Sequence, residues 1–165
     1  MKWELIGKMN VRRCTAVATS YKNRIYVIGG YRGEGRCKGI ETYNELTDSW
    51  SLIPLMLKYP IEASIMTHLS PSEVHLLGGK DQWNETAYST VYNLEDGLME
   101  ELPPLKNNHV LGKGGKYGDR LIVFGGSSNC KLEVTHLPGG KWTEVSSISL
   151  YENKLISKMS YSQSY

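Results

Sequence analysis

Three times in this chain a short apolar run ends in a pair of glycines: Ile25-Tyr26-Val27-Ile28-Gly29-Gly30, Val74-His75-Leu76-Leu77-Gly78-Gly79 and Leu121-Ile122-Val123-Phe124-Gly125-Gly126. Gly29 and Gly78 are 49 residues apart, Gly78 and Gly125 47. A period near fifty constrains the fold more than any local propensity does. Each unit must be one supersecondary motif that buries its apolar face only by stacking on another. The paired glycines end each run where the backbone takes positive φ, or where a neighbour comes too near for a Cβ.

Within each period the pattern predicts four short strands in an antiparallel meander. In the first unit they fall at residues 14–20, 25–28, 40–44 and 50–53, with turns at Tyr21-Lys22-Asn23 and Thr47-Asp48 and with Pro54 closing the fourth. The near-continuous apolar run at 25–28 predicts burial on both faces. The second unit repeats the plan at 63–69, 74–77, 88–94 and 98–102, and the third at 112–117, 121–124, 132–137 and 142–145. Residues 3–6 and 154–161 read as further strands. The domain is thus expected over 1–165, with repeats at 7–53, 54–103 and 104–146, flanked by strands of incomplete units in 1–6 and 147–165. No helical period is sustained, so the expected class is all-β.

The net charge of +2 excludes a nucleic-acid surface built on bulk charge. No apolar run approaches the roughly 20 residues that span a bilayer. Cys14, Cys37 and Cys130 are odd in number and show no Cys-x-x-Cys spacing, which argues against a disulfide framework or a zinc knuckle. The first residues lack the apolar core of a signal peptide. A cytoplasmic location is the expectation.

A double glycine after an apolar strand, a tyrosine 13 residues on (Tyr43) and a tryptophan 7 later (Trp50) together resemble the kelch repeat. The second unit keeps Gly78, Gly79 and Tyr92 and has Met99 at the tryptophan position. The third keeps Gly125, Gly126 and Trp142, with Thr135 or His136 where the tyrosine would be. The resemblance covers nearly the whole chain. It implies a kelch-type β-propeller in which each repeat is a four-stranded blade. Tyr43 and Trp50 then fill the wedge between blades, and the glycines let inner strands pass closely. Closed propellers hold about 4–8 blades. Three double glycines with a strand at either end therefore predict an open or incomplete arc of three: a fragment, a truncated product or part of an assembly. Its exposed faces and edges predict self-association or completion by further blades.

A catalytic constellation is not apparent. His68, His75, His109 and His136 fall in different units with no metal-ligand spacing. Gly112-Lys113-Gly114-Gly115-Lys116 lacks the ending of a phosphate loop and reads as a strand with glycine at a crowded position. Neither a metal nor a cofactor is expected. Kelch-fold enzymes exist, copper oxidases and sialic-acid isomerases among them, but no Tyr or Cys here matches their sites one by one.

The resemblance places binding instead on loops between second and third strands (31–39, 80–87, 127–131) and between blades (9–13, 57–62, 106–109). These offer Arg12, Arg13, Tyr31, Arg32 and Arg36, then Lys58, Tyr59 and Trp83, then Asn108. Arginine beside aromatic residues is the composition of binding hot spots. The arginines point to an acidic or phosphorylated peptide. The expected function is a non-enzymatic interaction module or scaffold, within a ubiquitin-ligase substrate receptor as in many kelch proteins. The alternatives are an enzyme on the same fold and a degenerate fragment.

Overall fold

The computed structural model describes residues 2–127 and 131–145. These form three four-stranded antiparallel sheets and, among the described residues, no helix. The first holds β1 (Val17–Tyr21), β2 (Arg24–Ile28), β3 (Gly39–Asn44) and β4 (Ser49–Met56). The second holds β5 (Ile65–His68), β6 (Glu73–Leu77), β7 (Ser89–Asn93) and β8 (Met99–Glu101). The third holds β9 (Lys113–Tyr117), β10 (Arg120–Phe124), β11 (Leu132–His136) and β12 (Thr143–Glu144). Each sheet keeps its strands in chain order. The chain divides into two compact units. Unit 1 runs to Ala63 and adds Lys80–Asn84; unit 2 is Ser64–Gly79 and the chain from Glu85 onward.

The strands fall where the period puts them, within a few residues at each end. Several local expectations are corrected. Residues 2–6 lie in no strand, and Trp3 and Leu5 are almost fully exposed; the other flanking strand, 154–161, lies outside the described residues. Pro54 does not end β4. Gly39 pairs with Met56 and Ile40 with Ile53, so Pro54 and Leu55 sit in a bulge on an edge strand, where proline's missing N–H takes nothing from the ladder. The apolar run of β2 is buried only from Tyr26 to Ile28; Ile25 stays exposed.

Register aligns the three repeats. Tyr43 lies opposite Ile25, Tyr92 opposite Val74 and Thr135 opposite Leu121, so Thr135, not His136, takes the tyrosine's place. Tyr43 is buried against Trp50, ring centroids 5.4 Å apart, and its hydroxyl donates to Asp48 Oδ1 at 2.6 Å. Trp50 is only half-buried and donates its indole N–H to the Gly7 carbonyl at 2.8 Å. Trp142 is buried within unit 2. It packs with Ile65, Leu77, Leu105, Leu121 and Val123, while its N–H meets the Pro103 carbonyl at 3.1 Å. This core joins the second and third sheets because β9 presents glycine toward β5. A Cβ at Gly114 would meet the Ile65 side chain at 3.0 Å, and one at Gly112 at 2.8 Å.

Candidate interaction surface

Unit 1 carries most of the loops expected to bind. The β2–β3 connection starts at Gly29 and Gly30, whose φ values are +65° and +96°. The Gly30 N–H donates to the Ile61 carbonyl at 2.8 Å, and a Cβ on Gly29 would come within 2.5 Å of that oxygen. Only glycine permits so close a docking. Tyr31 then bridges both Cys14 and Arg36, closing a small hairpin. The Arg32 N–H meets the Gly35 carbonyl at 3.0 Å, and the Tyr31 hydroxyl donates to the Gly33 carbonyl at 2.7 Å. The side chain of Arg32 is exposed at the tip.

Arg36 turns inward from this hairpin and ties it to its neighbours. Its Nε and Nη2 both contact Glu62 Oε1, at 2.9 and 2.7 Å, and Nη1 donates to the Gln82 carbonyl at 3.3 Å. Glu62 also accepts from the Thr15 hydroxyl at 3.1 Å, and its backbone bridges Lys80. The segment 80–84 is a tight turn. Asp81 Oδ1 accepts the N–H groups of Trp83 and Asn84, both at 2.8 Å, and the Asn84 and Trp83 hydrogen bonds hold this carboxyl below its ordinary range. Trp83 projects from that turn 81% exposed. Tyr31, Arg32, Arg36 and Trp83 therefore belong to one braced group of loops. Arg12 is exposed, as are Lys58 and Tyr59, with the Lys58 ammonium 5.2 Å from the Tyr59 ring centroid.

Arg13 does not join them. Its side chain is 1% exposed and its Nη2 pairs with Glu41 at 2.7 Å; Nη1 donates to the Gly29 and Gly39 carbonyls, each at 2.8 Å. A guanidinium so engaged inside a sheet is a structural group, which corrects its expected place on the binding face. Glu41 itself is fully buried and accepts the backbone N–H of Asn10 at 2.6 Å and of Val11 at 3.1 Å. Sequence reasoning missed both Glu41 and Glu62.

In unit 2 the corresponding buried carboxylate is Glu133. It accepts the N–H groups of Lys106 and Asn107, both at 2.7 Å, and faces His109 Nε2 at 3.1 Å. The other ring nitrogen of His109 lies 2.7 Å from the Gly125 carbonyl, while the His109 carbonyl accepts the Gly79 N–H at 2.7 Å. Burial works against the imidazolium, but the hydrogen bonds to Glu133 and Gly125 and the carboxylate's charge outweigh it, raising the His109 pKa. Burial likewise works against the Glu133 anion, and its hydrogen bonds, His109's first, lower that pKa. Asn108 stands exposed beside them. In the loop 127–131, residues 128–130 lie outside the described residues.

Among the described residues no three His, Cys, Asp or Glu side chains stand close enough to hold a metal ion, and no helix is long and apolar enough to cross a membrane.

Comparison with known proteins agrees with this geometry. The Kelch motif model matches residues 12–57. Kelch-like protein 25 of Xenopus tropicalis is 40% identical over 52 residues, 32% of this chain and 9% of the relative. Kelch-like protein 15 of Homo sapiens is 36% identical over 62 residues, 33% of this chain and 10% of the relative. The matches thus span about a tenth of the length of these relatives. The solved structure of YjhT superposes with a TM-score of 0.76 over 90% of this chain and 56% of its own, at 12% identity, a likeness of fold. Residues 12–57 thus match the Kelch motif, and the described sheets have the fold of kelch propeller blades.

Proposed function

We propose that the chain is a non-enzymatic protein-interaction module of the kelch class, which binds a partner protein or peptide through the loops of unit 1. One observation carries this reading: Trp83 stands 81% exposed on a turn fixed by Asp81 and tied to Arg36. A large aromatic side chain held out on a rigid frame presents contact area at little further entropic cost. Arg12 and Arg32 of the same unit are exposed, and neither forms an ion pair with a carboxylate among the described residues. They suit an acidic or phosphorylated peptide, since guanidinium pairs bidentately with carboxylate and phosphate. Arg36 acts as the brace rather than as a free contact, because Glu62 already occupies it. By resemblance to many kelch proteins, such a module would serve as the receptor part of a ubiquitin ligase.

Arrayed acidic and phosphorylated peptides test this. The purified chain is expected to retain a subset of them. Trp83→Ala and the double variant Arg12→Ala/Arg32→Ala should each weaken that binding by about tenfold or more, as loss of a hot-spot residue does. Peptides bound equally by all three proteins would reject the surface.

A further inference from the structure

Unit 2 has a concave surface of its own. It is a groove of about 610 Å³ among the β5–β6, β9–β10 and β11–β12 turns, with β7 and β8 along one wall. Register explains that wall. Val91 pairs with Glu100 across β7 and β8, so both side chains stand on one face, and Leu102 lies two residues beyond Glu100 on the same side. Leu69 and Leu137 continue the apolar floor and pack against the core around Trp142. The groove is therefore an open margin of the hydrophobic core.

Its charge is one-sided. Glu73, Glu100 and Asp119 line it, against the single lysine Lys116. That ammonium is committed to the Leu69 carbonyl at 2.6 Å, clasping one turn to the other. The Ser70 hydroxyl donates to Glu73 at 3.0 Å, and His136 lies 3.1 Å from Asp119 at the exposed rim. Glu100 and Asp119 are open to solvent.

We propose that this groove docks a segment of a partner protein bearing lysine or arginine beside an apolar side chain. The apolar residue lies on Leu69, Val91 and Leu102. The long stem of the cationic residue covers the floor while its head reaches Glu100 or Asp119. Opposite charge across such a rim speeds encounter and excludes acidic segments. This partner chemistry is the reverse of that proposed for the loops of unit 1, and neither reading needs the other.

Fluorescence anisotropy with two labelled pentapeptides, Gly-Lys-Leu-Lys-Gly and Gly-Glu-Leu-Glu-Gly, tests the proposal on the full chain. The basic peptide should bind at least about tenfold tighter than the acidic one and should weaken as salt rises from about 50 to about 300 mM. Glu100→Lys/Asp119→Lys alters two exposed positions and should reduce basic-peptide binding by about tenfold. Trp83→Ala should leave it unchanged. Equal binding of the two peptides, or binding indifferent to the double reversal, would overturn the site. Should that variant fail to fold, methyl shifts in the wild-type chain decide. Shifts at Leu69, Val91 and Leu102 on adding basic peptide support the groove; shifts confined elsewhere, or none, refute it.

Discussion

The first and third repeats solve one packing problem with different chemistry. Each buries a carboxylate at the same register, Glu41 opposite Val27 and Glu133 opposite Val123, both fully buried. Each carboxylate gathers two consecutive backbone N–H groups from the segment leading into its sheet. The counter-group sits two residues before a non-glycine residue with positive φ: Arg13 before Thr15 and His109 before Leu111. The second repeat has Ile61 two residues before Ala63 and Thr90 opposite Leu76 at these places, and the threonine hydroxyl donates to the Glu100 carbonyl instead. In the first and third repeats the buried carboxylate thus staples the leading segment to the third strand. An ion pair is one way to make such a staple, and buried pairs often prove no better than well-packed apolar groups. The choice decides how each repeat answers to mutation and to pH.

The largest expected effect comes from removing the cation in the first repeat. Arg13→Met would leave Glu41 buried beside two backbone donors and would free the Gly29 and Gly39 carbonyls. Breaking a buried pair on one side costs about 3–5 kcal/mol, to be read as a lower urea midpoint. Replacing both partners by the residues at the second repeat's corresponding positions, Arg13→Ile/Glu41→Thr, should recover most of that loss. A double variant as unstable as the single one would show that the second repeat's residues cannot stand in for the ion pair.

That comparison also shows why the fold was easier to read than the site. Apolar runs ending in Gly-Gly recur at a near-constant period, and the twelve strands of the described residues fall close to where that period puts them. The staple has no fixed offset. Arg13 and Glu41 are 28 residues apart and His109 and Glu133 are 24, because the loop between second and third strands differs in length. Only strand register brings the two carboxylates into correspondence. Arg13 reads in sequence like Arg12 beside it, and nothing local says that one guanidinium turns inward while the other stays in water. Trp83 could be singled out, since its polar neighbours leave a tryptophan little apolar surface to join. Arg36 could be placed on its loop, but its role as a brace depends on Glu62, which lies on another segment.

A smaller effect separates two buried histidines of unit 2. His75 takes the register position held by Tyr26 and Ile122 in the other repeats. Its Nε2 meets the Ser89 hydroxyl at 2.8 Å and its Nδ1 has no partner among the described residues. Burial pushes its pKa down to about 4. The unfolded chain takes up this proton near pH 6.5 and the folded one only near 4. Stability is therefore intact above about pH 6.5 and declines by about 3 kcal/mol as pH falls toward 4. His75→Ile installs the third repeat's residue and should flatten the acid limb of a plot of thermal midpoint against pH. An unaltered acid limb would assign the loss to other groups.

His109 works in the opposite sense, and its effect is the smallest and the most selective. Its folded pKa is raised, so its pairing with Glu133 stabilises fully below the unfolded value of about 6.5 and is lost as pH rises through the folded value. Glu133, lowered, contributes above the ordinary carboxylate value and loses that contribution as pH falls through its folded pKa. The third repeat's staple should thus be strongest between about pH 4.3 and about pH 6.5. The first repeat holds an arginine where the third holds this histidine. His109→Arg imports the first repeat's cation and should remove the decline in thermal midpoint that sets in above about pH 6.5, measured against the wild-type chain so that other titrating groups cancel. His109→Ile/Glu133→Thr should remove the same decline with no ion pair at all. If both variants keep the wild-type slope, the histidine–carboxylate pair is not what titrates. If only the arginine variant loses it, the charge and not the staple sets the response.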